Sequence, residues 1–190
     1  MKKVISLFAI SALFVGSAMA ADLSLEGRFA NAGSSVEPNS TEYVVAVSTA
    51  LPAPGLLGQV VVGGELQAKE YAGSSALTSV AAAHVATSVS YLGFSATPAV
   101  ELGRFAVADE STNFWGAGVT VSHAVLGPVS AEVGYRHRES VTSTKLMDEN
   151  RVSGALVLAL NKKSSLAATF YHNTGTLPEN QVGVGYRYSF

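Results

Sequence analysis

The chain has 190 residues, a formal charge of −2, no cysteine, and 48% apolar against only 14% charged side chains. With no basic excess and no run of lysines and arginines it lacks the electrostatic footprint of a nucleic-acid binder. Without cysteine it has neither a disulfide framework nor thiolate metal ligands. Soluble domains average about 25% charged residues, so this composition, with its eighteen glycines, points away from an ordinary water-soluble domain.

The first twenty residues, "MKKVISLFAISALFVGSAMA", read as an export signal. Lys2 and Lys3 precede an apolar run from Val4 to Val15, and Ala18-Met19-Ala20 supplies a small-x-small cleavage site. The run is too short to cross a bilayer as a helix. Cleavage after Ala20 removes both lysines and moves the formal charge to −4.

From residue 21 onward no segment shows a capped helical period. Stretches of about 9–13 residues alternate with period two and end in turns, the pattern of strands. "DLSLEGRFAN" sets Leu23, Leu25, Gly27 and Phe29 against Asp22, Ser24, Glu26 and Arg28. "EYVVAVSTAL" is apolar on both faces. "QVVVGGELQAK" sets Val60, Val62, Leu66 and Ala68 against Gln59, Glu65, Gln67 and Lys69. "LTSVAAAHVATSVSY" is long and alanine-rich. "AVELGRFAVA" carries Glu101 and Arg104 on opposite parities, which a bulge near Gly103 would reconcile.

"FWGAGVTVSHAV" sets Trp115, Ala117, Val119, Val121 and His123 against Gly116, Gly118, Thr120 and Ser122. "VSAEVGYRHR" sets Val129, Ala131, Val133 and Tyr135 against Ser130, Glu132, Gly134, Arg136 and Arg138. "RVSGALVLAL" sets Val152, Leu156, Leu158 and Leu160 against Arg151 and Ser153, and "SLAATFYHN" follows as a short strand. The last ten residues, "QVGVGYRYSF", alternate to the end: Val182, Val184, Tyr186, Tyr188 and Phe190 on one face, Gln181, Gly183, Gly185, Arg187 and Ser189 on the other.

In the six clear strands every ionised side chain falls on the polar face, an outcome that chance gives roughly one time in thirty on a strict two-residue period. The count is ten strands, with eight as the alternative. Polar connections ("NAGSSVEPNST", "EYAGSSA", "ADEST", "SVTSTKLMDE", "NTGTLPE") alternate with shorter ones ("PAPG", "GFSATP", "LGP", "NKKS"). That asymmetry predicts one domain over residues 21–190: an all-β, up-and-down antiparallel transmembrane β-barrel with both termini at one end.

A soluble sandwich would put the apolar face inside and many charges outside. Here the polar face is sparse and made of small residues, as the inside of a narrow barrel would be. A sheet in lipid must close on itself because its backbone groups cannot reach water. Aromatic side chains gather into two predicted interface belts: Phe29, Tyr43, Phe105, Trp115, Tyr135 and Phe170 towards the longer loops, and Tyr91, Phe94, Tyr186, Tyr188 and Phe190 towards the termini.

The final strand carries a resemblance. Gln181, Gly183, Tyr186, Tyr188 and Phe190 resemble the C-terminal assembly signal of Gram-negative outer-membrane β-barrels, a polar residue followed by glycine and alternating aromatics with a terminal Phe. The rest of the chain is similar only in architecture to the small OmpA-like, opacity-type and porin-like barrels. The resemblance implies an outer-membrane location, assembly by the outer-membrane barrel machinery, and a surrounding of outer-membrane lipid and lipopolysaccharide.

Ten strands lie near the size at which side chains fill the interior, whereas sixteen to eighteen leave an open channel. The inward-facing charges Glu26, Arg28, Glu65, Lys69, Glu101, Glu132, Arg136, Arg138, Arg151 and Arg187 then predict a salt-bridge network across the lumen, since unpaired charges there would be costly. Three functions remain open: a structural or surface-interaction barrel with a mostly filled lumen, a narrow porin-like channel, and a lipid A-modifying enzyme.

The enzyme reading rests on "YHNTGTLPEN", in which His172, Thr174 and Glu179 lie at the rim of the last hairpin. The segment faintly resembles the His-x-Ser stretch of outer-membrane lipid A deacylases, with Thr174 in the serine position and an acid spacing that does not fit. His123 and His137 fall on the lipid-facing parity near strand ends, and His84 has no obvious partner. No cofactor, catalytic constellation or metal cluster is expected, so the chain reads as a non-enzyme.

Overall fold

The structure, a computed structural model, describes residues 21–30, 40–52, 59–74, 77–142, 146–176 and 178–190. The export signal and its cleavage site lie outside the described residues.

The alternating stretches form β1 (Ala21–Ala30), β2 (Ser40–Pro52), β3 (Gln59–Tyr71), β4 (Leu77–Thr87), β5 (Val89–Tyr91), β6 (Phe94–Val107), β7 (Glu110–Leu126), β8 (Val129–Ser140), β9 (Asp148–Ala159), β10 (Ser164–Gly175) and β11 (Glu179–Ser189). Each pairs antiparallel with its sequence neighbour, and β1 closes the ring on β11. Both β4 and β5 pair with β6, so they are one stave interrupted at Ser88. The result is a closed up-and-down barrel of ten staves, without edges that lipid would leave unpaired. Among the described residues no helix is long and apolar enough to cross a membrane.

Side chains alternate across the wall as the sequence pattern requires. On β6–β11 the outward positions include Val100, Leu102, Trp115, Val121, Val133, Val152, Leu156 and Val184, all exposed on the outer surface. The inward positions of the same strands carry Glu101, Arg138, Arg151 and Gln181, largely withdrawn from solvent. A soluble protein would invert this arrangement.

Three expectations are corrected. No bulge occurs at Gly103, because β6 keeps continuous register with both β4 and β7. Glu101 therefore points inward and Arg104 outward, where its Nη2 donates to Ser111 Oγ at 2.7 Å. The irregularity lies instead on β7, between Ala124 and Leu126. Phe105, assigned to an aromatic belt, is the second correction: it points into the lumen and is 4% exposed, packed with Val80, Phe114 and Met147. The loop end of the lumen is thus partly apolar, and an aromatic side chain there buries more area inside than out.

The third concerns loop length. β7 starts at Glu110 and β11 at Glu179, so Ser, Thr and Asn positions expected in loops continue the ladder. The turn at Leu92–Gly93 has both residues at positive φ, 48° and 81°, the geometry that lets a two-residue hairpin follow the strand twist.

Candidate functional site: the charged lumen

The inward faces of all ten staves converge in the loop-side half of the barrel. Arg138, on β8, is fully buried. Its Nε donates to Glu101 Oε1 at 2.7 Å, and its Nη2 donates to Glu101 Oε2 at 2.8 Å and to Glu65 Oε1 at 2.9 Å. Arg136, one inward step away on β8, reaches Glu149 at 3.1 Å and Glu65 at 3.5 Å. Arg151 Nε donates to Asn173 Oδ1 at 2.7 Å and lies 3.3 Å from Glu149.

On the other wall, Arg28 pairs with Glu26 at 2.9 Å and Glu42 at 3.3 Å, and its guanidinium lies over the Tyr171 ring at 4.2 Å. Tyr171 in turn donates its hydroxyl to Glu26 at 2.8 Å. Gln181 Nε2 donates to Glu42 Oε2 at 2.7 Å. Lys69 pairs with Glu179 nearer the loops. Five cations and six carboxylates thus share one connected layer. Ions removed from water at this depth persist only when geometry and further hydrogen bonds satisfy them.

Glycine makes room for this layer. A Cβ at Gly116 would stand 2.5 Å from Glu101 Oε1, and one at Gly183 would stand 2.7 Å from Glu26 Oε1. A Cβ at Gly103 would stand 2.4 Å from the Phe114 ring. These inward glycines let long side chains lie flat against the wall.

Below the layer, towards the termini, lies a separate space. Thr97, Ala99 and Gly118 with Glu65, His84, Glu101 and Arg136 line a space of about 290 Å3. Glu132 and Arg187, the remaining expected lumen charges, pair with each other at 2.7 and 2.8 Å. His84, without an obvious partner in sequence, faces this space and lies against Gly63.

Each of the ten charges expected in the lumen makes an ion pair with a side chain of opposite sign. Sequence reasoning missed Glu42, Glu149, Tyr171 and Asn173, and it put Glu179 at the rim. For Glu42 a signal existed: it shares the parity of Ser48, but the valines on both faces of β2 hid it.

The deacylase-like triad is not assembled. His172 faces outward and pairs through Nδ1 with Asn180 Oδ1 at 2.8 Å, while Glu179 faces inward on Lys69. Adjacent positions in an extended strand point to opposite faces, so that reading is withdrawn. Among the described residues no group of three or more His, Cys, Asp or Glu side chains could hold a metal ion.

The residues of the assembly-signal resemblance divide between the two faces. Gln181 and Gly183 face the lumen and Tyr186 faces outward. Tyr188 packs edge-on against Phe190 with centroids 4.9 Å apart, and the Phe190 N–H donates to Ala21 O at 3.0 Å. Phe29, Trp115, Tyr135 and Phe170 are exposed on the outer surface at the loop side, and Tyr91 and Phe94 at the terminal side. Tyr43 shares their outward parity and is half-buried. Polar partners accompany these rings. Tyr135 Oη donates to Asn150 Oδ1 at 2.7 Å, His137 Nδ1 lies 3.0 Å from the same oxygen, and His123 stacks on Phe94 at 4.3 Å.

No protein-family model matches the chain, and no curated protein matches its sequence. Solved structures do match in fold. The β domain of the Bordetella autotransporter BrkA superposes with a TM-score of 0.50 at 15% identity, covering 92% of this chain and 100% of that one. The translocator domain of the autotransporter NalP from Neisseria meningitidis gives 0.49 at 10% identity, covering 100% and 95%. The KdgM porin in complex with disordered oligogalacturonate gives 0.48 at 10%, covering 90% and 99%. Closed, greasy on its outer wall and ionic within, the chain has the fold of an outer-membrane β-barrel.

Proposed function

We propose that this protein is a closed barrel of the Gram-negative outer membrane that acts through its scaffold and its loop face rather than as a passage. The carrying observation is Arg138, which is fully withdrawn from solvent while held by two carboxylates on β3 and β6. A side chain lining a continuous water column would keep exposed surface. The termini lie on the periplasmic side, the loops reach outward, and lipid and lipopolysaccharide surround the belts. The assembly machinery recognises the last strand. These placements rest on the C-terminal resemblance and on the expected export signal.

A second reading, a narrow channel, is favoured by the space of about 290 Å3 on the terminal side of the ionic layer. Single-channel recording in planar bilayers separates the two. The closed barrel predicts a silent bilayer at neutral pH and moderate salt. Discrete conductance steps from the purified protein would overturn it in favour of the channel.

A further inference from the structure

Arg104 is the cation that the lumen does not use. It faces outward, and among the described residues no other lysine or arginine lies on the outer face of a strand. Every other arginine pairs with a carboxylate. Arg104 pairs with none among the described residues. Its hydrogen bond runs from Nη2 to Ser111 Oγ at 2.7 Å. The remaining N–H groups of this exposed guanidinium are left to an acceptor from outside the protein.

The strand below sets its height on the wall. The outward residues of β6 run Phe94, Ala96, Pro98, Val100, Leu102, Arg104, and Phe94, Val100 and Leu102 are exposed. Phe94 to Leu102 spans about 26 Å along the strand. At the usual strand tilt that is about 20 Å across the membrane, close to the ~25 Å apolar band of such a barrel. Arg104 is the first side chain of β6 past that band on the loop side, where a long cationic side chain reaches the headgroups.

Its surroundings favour an anion with a ring attached. Asn113 is directly opposite on β7, and Trp115, 42% exposed, is a diagonal neighbour beside Leu102. The acidic side chains stand to other sides: Asp109 and Glu110 at the end of the hairpin, and Glu139 on β8 beside His137 at 3.9 Å. The open approach lies over β4, where the residue opposite Arg104 is the exposed Ala81.

A guanidinium fork takes a phosphate through parallel hydrogen bonds. An indole presents an apolar face with an N–H at its edge. We propose that Arg104, Ser111, Asn113 and Trp115 dock the phosphorylated sugar headgroup of an outer-leaflet glycolipid of the lipid A type. The phosphate lies on Arg104, the sugar against Trp115, and the acyl chains along Leu102 and Val100. The site rests on the outer-membrane reading above and gives the lipopolysaccharide contact one place on the wall. A neutral lipid would leave Arg104 without its anion. A free phosphate would leave Trp115 and Leu102 uncovered.

The chain has one tryptophan, so its emission reports on this site. Protein folded in an uncharged detergent is titrated with lipid A, with dephosphorylated lipid A, with phosphatidylglycerol and with inorganic phosphate. The expected result is a saturable change in Trp115 emission with lipid A. Dephosphorylated lipid A and phosphatidylglycerol should bind at least tenfold more weakly, and inorganic phosphate at millimolar concentration should leave the emission unchanged. Arg104→Gln should weaken lipid A at least tenfold while keeping the folded gel mobility. No saturable change, an equal affinity in Arg104→Gln, or equal binding by phosphatidylglycerol or the dephosphorylated lipid overturns the proposal. Gel mobility and solubility separate the two levels of failure. A barrel that folds in detergent and ignores lipid A overturns the docking site alone. A chain that is folded and soluble without detergent overturns the membrane reading and the site with it.

Discussion

Replacing Arg138 by Ala removes the one fully buried cation of the layer and leaves its partners behind. Three hydrogen bonds of 2.7, 2.8 and 2.9 Å disappear. Glu101 is left with Arg136 Nε at 3.9 Å, and Glu65 with Arg136 Nη1 at 3.5 Å and a neutral hydrogen bond from Gln67 Nε2. Breaking a buried pair by deleting one partner costs about 3–5 kcal/mol, mostly because the remaining charge is stranded. Two carboxylates are stranded here, and one neighbouring arginine relieves each only weakly, so the upper part of that range is expected. The assay is urea unfolding of the barrel refolded into lipid, followed by the mobility difference between folded and unfolded forms on gels. The triple variant Arg138→Met, Glu101→Gln, Glu65→Gln removes the arginine and both carboxylates and should recover most of the loss, since an uncharged replacement of a buried ionic cluster is often neutral. A single variant within about 1 kcal/mol of the parent, a value typical of exposed pairs, would refute the buried, interdependent layer.

Other perturbations test the wall and its assembly. Gly103→Ala forces a Cβ to within 2.4 Å of Phe114 and 2.6 Å of the Ala81 carbonyl, and the same unfolding assay should show a loss of about 1–3 kcal/mol; no loss would mean that the Phe114 ring is not seated there. Val133→Arg puts a cation on an outward position that is 61% exposed, and mid-bilayer depth predicts a cost of about 2–4 kcal/mol in lipid. Deleting Phe190 removes the terminal ring against Tyr188; outer-membrane fractions of an expressing cell should then contain several-fold less folded protein, and an unchanged amount would remove the C-terminal resemblance from the account.

The barrel was legible from parity alone, because lipid and lumen enforce a two-residue period wherever a strand carries a charge. Arg136 and Arg138 fixed β8, and Glu65 and Lys69 fixed β3, with no ambiguity. Legibility failed where the interior stopped being polar. Phe105 and Phe114 enter the lumen beside Val80 and Met147, so the loop ends of β6 and β7 put apolar rings on the inward face. Arg104, outward and close to the loops, then imitated a register error. β2 failed for the same reason, with Val44 inside and Val45 outside hiding Glu42.

The central claim is that apolar faces meet lipid and ionic faces meet the lumen. The chain contains no cysteine, so single cysteines at successive positions 152–157 of β9 can carry nitroxide spin labels in bilayers. Collision with lipid-soluble oxygen and with a water-soluble nickel chelate reports the two environments. The account predicts oxygen-dominated collisions at 152, 154 and 156, and loss of oxygen access at 153, 155 and 157, in strict alternation. Nickel-dominated collisions at 152 and 156 would contradict it.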